Sequence, residues 1–81
     1  MITEQSKNLF IAYVNDAAEW GGTPCVGGNV GGSKEDRGNL TQLKKAGLVT
    51  THKDDGCLWV SFTDAGKAYA KELLLDTRSI Q

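Results

Sequence analysis

From Thr3 to Trp20 the apolar residues Leu9, Phe10, Tyr13, Val14, Ala17, Ala18 and Trp20 recur at i, i+1, i+4, i+5 and i+8. That spacing fits one face of a helix and not the alternation of a strand. Thr3 stands where an N-cap is needed, Glu4 follows in the first turn, and Gly21-Gly22 favours leaving the helix. A second helix opens at Ser33-Lys34-Glu35-Asp36, which resembles a capping box with Asp in its last position. It carries Leu40, Leu43 and Ala46 on one side, and Gly47 closes it with Leu48 just beyond. Gly38 weakens its interior and implies that something packs close to it.

Leu48 to Lys53 then reads as a strand, Asp54-Asp55-Gly56 as a tight turn, and Cys57 to Phe62 as the returning strand. Leu58, Val60 and Phe62 alternate onto one face; Trp59 and Ser61 take the other. Thr63-Asp64 caps a last helix bearing Ala65, Ala68, Tyr69, Leu73 and Leu74, and residues 77–81 fray with 1–2. The pattern predicts one α+β domain over residues 1–81, in the order helix, loop, helix, strand, strand, helix. Its core is expected at Leu9, Phe10, Tyr13, Val14, Leu40, Leu43, Leu48, Val60, Phe62 and Tyr69.

Composition changes this picture at residues 21–32, which hold six of the ten glycines and the only proline. A helix there would be penalised by about 6 kcal/mol relative to alanine. A structured loop is expected, with at most a short turn or a two-residue bridge, and with Cys25, Val26 and Val30 tying it inward. At 81 residues there is room for one core, with about 60% of the unfolded chain's surface buried. No 18-residue apolar run occurs, so a soluble, cytoplasmic protein is expected. Two reduced thiols, Cys25 and Cys57, follow from that expectation.

Nine Lys and Arg stand against ten Asp and Glu, a net charge of −1. The strongly basic balance of many nucleic-acid binders is absent, so polyanion binding would rest on local segregation of charge. Gly31-Gly32-Ser33-Lys34 has the wrong order for a phosphate loop, and a dinucleotide fingerprint has no strand before it. Cys25, His52 and Cys57 contain no Cys-x-x-Cys pair, so neither metal nor cofactor is expected. His52 and Cys57 flank a hairpin that offers neither a cleft nor a third orienting group, and no enzymatic activity or small-molecule substrate is expected.

Three segments carry a family likeness. Leu40-Thr41-Gln42-Leu43-Lys44-Lys45-Ala46-Gly47-Leu48-Val49 resembles the end of a recognition helix running into a wing. Asp54-Asp55-Gly56 resembles a wing tip, and Phe62-Thr63-Asp64-Ala65-Gly66-Lys67 resembles the strand-to-helix step after it. Residues 34–74 thus resemble the winged-helix fold of MarR- and PadR-type bacterial regulators, with the first helix of the helix-turn-helix replaced by the glycine-rich loop. The resemblance implies a transcriptional or phage-type regulator that inserts helix 34–46 into the major groove of double-stranded DNA. Such proteins usually dimerise through helices outside the winged core, which here implies the first helix or Leu73 to Leu75.

With the leucine side of the second helix buried, Lys34, Arg37, Gly38, Thr41, Lys44 and Lys45 face outward. Ser33, Lys34 and Arg37 stand at the end that would enter the groove; Arg37 fits guanine, and Asn39 or Gln42 fits adenine. Lys44, Lys45, His52 and Lys53 suit phosphates. Asp54 and Asp55 would keep the hairpin tip off the backbone. The outward Trp59 is either covered by the loop or first helix, or is a contact for a partner. In the second case Trp59, Val26, Asn29 and Val30 form a protein-interaction surface without DNA binding.

Overall fold

A computed structural model describes residues 2–20, 25–26, 34–75 and 77. It has three helices and one two-stranded antiparallel sheet, in the order α1 (Glu4–Trp20), α2 (Lys34–Lys45), β1 (Val49–Asp54), β2 (Cys57–Phe62) and α3 (Asp64–Glu72). The α+β class and the element order agree with the hydrophobic pattern. The expectations placed on Ser33, Asn29 and Val30 lie outside the described residues, as do those on Gly21-Gly22 and most of the tail.

Local chemistry accounts for the start of α1, the end of α2 and the hairpin turn. The Thr3 hydroxyl accepts the Ser6 N–H at 3.2 Å, so Thr3 caps α1. At the end of α2, Gly47 adopts φ 78°, its N–H reaches the Lys44 carbonyl at 3.0 Å, and the Leu48 N–H reaches the Leu43 carbonyl at 3.1 Å. This is a Schellman stop with glycine in the left-handed position. Ala46, in the last turn, is exposed and not part of the leucine face. The hairpin turns on Asp55 and Gly56 alone, at φ 52° and 79°, the paired positive angles that match strand twist. The first strand therefore runs one residue later than the sequence reading, from Val49 to Asp54.

The core gathers Leu9, Phe10, Tyr13, Val14 and Ala17 of α1, Leu40 and Leu43 of α2, Val49, Val60 and Phe62 of the sheet, and Ala70 of α3. Phe10 is its hub, edge-on to Phe62 at 5.8 Å and tilted against Tyr69 at 5.1 Å. Leu48 and Tyr69 border this core and are only partly buried. Leu58 is 37% exposed, because its end of the hairpin extends past the buried layer. The buried side of α3 is Gly66 and Ala70, while Ala65 and Ala68 are exposed. Leu74 is 92% exposed because a left-handed turn at φ 60° carries it away from that face, while Leu75 packs back on the core.

Gly66 touches the chain just after α2. A Cβ at this position would overlap the Leu48 carbonyl oxygen, so the first turn of α3 lies directly on that backbone. Gly38 is the opposite case: its Cβ would meet nothing within 4 Å. The packing that its place in a helix implied is absent among the described residues.

Candidate nucleic-acid interface

The outward side of α2 follows from burial of Leu40 and Leu43. Residues at i, i+3, i+7 and i+10 then share the solvent side: Lys34, Arg37, Thr41 and Lys44, with Gly38 and Lys45 beside them. All six are exposed. Glu35 and Asp36 occupy the first turn and Lys44 and Lys45 the last, the arrangement that suits the helix dipole. The Thr41 hydroxyl donates to the Arg37 carbonyl at 3.0 Å, which leaves its lone pairs to accept from a ligand.

Asn39 and Gln42 are not on this side. The Gln42 side-chain oxygen accepts the Thr3 N–H at 2.6 Å, and the Asn39 side-chain oxygen accepts from the Ser6 hydroxyl at 3.3 Å. Both amides fasten α2 to the start of α1, with Ser6 buried between the helices. Their suitability for adenine was a matter of residue type, and the helix pairing has claimed them instead.

An open cavity of about 720 Å³ lies between α2 and the hairpin. Arg37, Leu40, Thr41 and Lys44 line one wall; Lys53, Gly56, Cys57 and Leu58 line the other, and Cys25 and Val26 complete it. Three cations from two elements thus converge on one concave surface. Lys53 belongs to it because it shares the core-side face of the hairpin with its register partner Leu58. His52 pairs with Trp59 on the other face, so it does not join Lys53. Lys34 and Lys45 extend the exposed stripe but do not line the cavity.

Trp59 is half-buried. Its indole N–H donates to the Asp54 carbonyl at 3.2 Å, and an isolated antiparallel bridge sets it opposite Cys25. The Val26 N–H donates to the Leu58 carbonyl at 2.8 Å, so residues 25–26 extend the sheet as a short third rung. That two-residue bridge is the form of contact the glycine-rich segment was expected to make. Asp54 and Asp55 are exposed at the hairpin tip.

Among the described residues no group of three or more His, Cys, Asp or Glu side chains could hold a metal ion, and no helix is long and apolar enough to cross a membrane. Comparison with protein-family models, with curated proteins and with solved structures gives no match for this chain.

Proposed function

We propose that this chain is a small winged-helix DNA-binding protein, a regulator of transcriptional or phage type, whose helix α2 enters the major groove. The observation that carries this reading is the convergence of Arg37, Lys44 and Lys53 on one concave surface beside an exposed helix face. A net charge of −1 is no obstacle when cations are segregated in this way.

The residues divide by role. Arg37 alone on this face has the fork that recognises guanine through two parallel hydrogen bonds. Lys34, Lys44, Lys45 and Lys53 meet phosphates, which fix register without reading sequence. Gly38 lets the helix backbone approach the groove, since it adds no side chain beside Arg37 and Thr41 on that side. Asp54 and Asp55 are repelled by phosphate, so the hairpin tip stays off the backbone and His52 contributes little. With Asn39 and Gln42 turned to α1, sequence reading rests on Arg37 and Thr41.

A salt titration with random duplex DNA tests this reading. Neutralising about four phosphates gives a slope of roughly −4 in log affinity against log salt. No measurable affinity at low salt would contradict the proposal. A second reading, a winged helix used as a protein-interaction module, draws on the apolar pair Val26 and Leu58 at the cavity edge, next to Trp59. Under it, Trp59→Ala removes partner capture while DNA affinity is absent from the outset.

A further inference from the structure

Cys25 and Cys57 are far apart in sequence, and the fold brings them together. The bridge between Cys25 and Trp59 sets Cys25 diagonally across from Cys57 on the same face of the sheet. Both are free, half-buried thiols lining the cavity between α2 and the hairpin. Arg37, Lys44 and Lys53 line the same cavity, so an anionic reagent is attracted to it.

We propose that Cys25 and Cys57 form a reversible dithiol–disulfide pair, oxidised by an anionic low-molecular-weight disulfide, that ties residues 25–26 covalently to β2. One cysteine thiolate attacks a sulfur of the small disulfide, forming a mixed disulfide and expelling one small thiolate. The second cysteine, also as thiolate, attacks the protein sulfur of that mixed disulfide and expels the other small thiolate. The protein loses two protons and two electrons, and the reagent is reduced to two thiols. The proposal stands whether or not α2 binds DNA.

Burial, a hydrogen bond to Cys57 and the Cys57 charge push the Cys25 thiol above its ordinary pKa. The Cys25 thiol is therefore held more fully protonated near neutrality, and closure accelerates as pH rises. One bridge, one backbone hydrogen bond and the contact between the two thiols hold residues 25–26 to β2, and a covalent link there changes how firmly the cavity wall is fixed.

The folded protein treated with oxidised glutathione, acid-quenched and weighed intact, decides the matter. The wild type should lose two hydrogens, carry no glutathione, remain monomeric on a non-reducing gel, and yield a linked Cys25–Cys57 peptide that dithiothreitol separates. Cys25→Ser and Cys57→Ser should each keep one glutathione, having no second thiol to expel it. Since either variant can lose stability, the wild type is also treated in urea, where closure should be lower than in native buffer. Persistent glutathione adducts on the wild type, disulfide-linked dimers, unreacted thiols, or closure in urea equal to the native level would each overturn the proposal.

Discussion

Gly66 in the first turn of α3 lies against the carbonyl oxygen of Leu48, so closely that any side chain at position 66 would overlap it. The same oxygen accepts the Thr63 N–H at 3.1 Å. The stretch that ends α2 and the stretch that starts α3 therefore hold each other in place. Because α2 carries the proposed DNA-binding face, this contact helps fix its orientation.

Alanine substitution should act with opposite sign at two glycines. Gly66→Ala forces backbone apart and should cost about 2 kcal/mol, within the range for overpacking. Gly38→Ala adds a methyl to open space in a helix interior and should stabilise by about 1 kcal/mol. Urea unfolding of the two variants checks both signs.

Thr63 should show a related dependence. Its hydroxyl donates to the Gly47 carbonyl and accepts the Gly66 N–H at 2.9 Å, linking the stop of α2 to the start of α3. Thr63→Ala should cost about 1–2 kcal/mol, and Thr63→Ser should recover most of it. Thermal unfolding of both variants provides the comparison.

These junctions are where the sequence was most legible, because each depends on a few adjacent residues. The Gly47 stop, the Asp55-Gly56 turn and the Thr63 cap are local chemistry, visible without knowledge of the rest of the chain. Leu58 lies on the face that alternation assigned to it, yet alternation does not say how far the core extends along that face, and Leu58 is exposed. Ala65 and Ala68 misled for a different reason: the buried stripe of α3 was set by the close approach at Gly66. The loss of Asn39 and Gln42 from the candidate DNA face, and the meeting of Cys25 with Cys57, depend on contacts between distant segments. No local pattern encodes them.

Tyr13 should make the protein sensitive to high pH. Its hydroxyl is buried with no hydrogen-bond partner among the described residues, and burial, reinforced by negative charge at Asp36, pushes its pKa from about 10 up to about 12. Above pH about 10 the unfolded tyrosine loses its proton while the folded one keeps it, so stability falls, and the loss levels off above about 12. The full loss is about 3 kcal/mol. Tyr13→Phe should remove this component and raise stability at neutral pH by about 1 kcal/mol, since it deletes an unpaired buried hydroxyl. Urea unfolding of both proteins across the alkaline range separates Tyr13 from other titrating groups.

The cations should divide by the kind of affinity they supply. Lys44→Ala should weaken binding to all duplexes alike and reduce the salt slope by about 1. Arg37→Ala should cost about 1–3 kcal/mol on a preferred site and also relax discrimination at one base pair. Asp54→Lys and Asp55→Lys should strengthen non-specific binding by removing repulsion at the hairpin tip. Fluorescence anisotropy with specific and random duplexes at several salt concentrations distinguishes the three classes.

The central claim, that the outward face of α2 meets DNA, is tested most directly by following backbone amide resonances as duplex DNA is added. The account predicts shifts concentrated at Lys34, Arg37, Gly38, Thr41, Lys44 and Lys53, with little change at Asp54, Asp55 and Ala65. Shifts confined to Val26, Leu58 and Trp59, or no shifts at low salt, would contradict it.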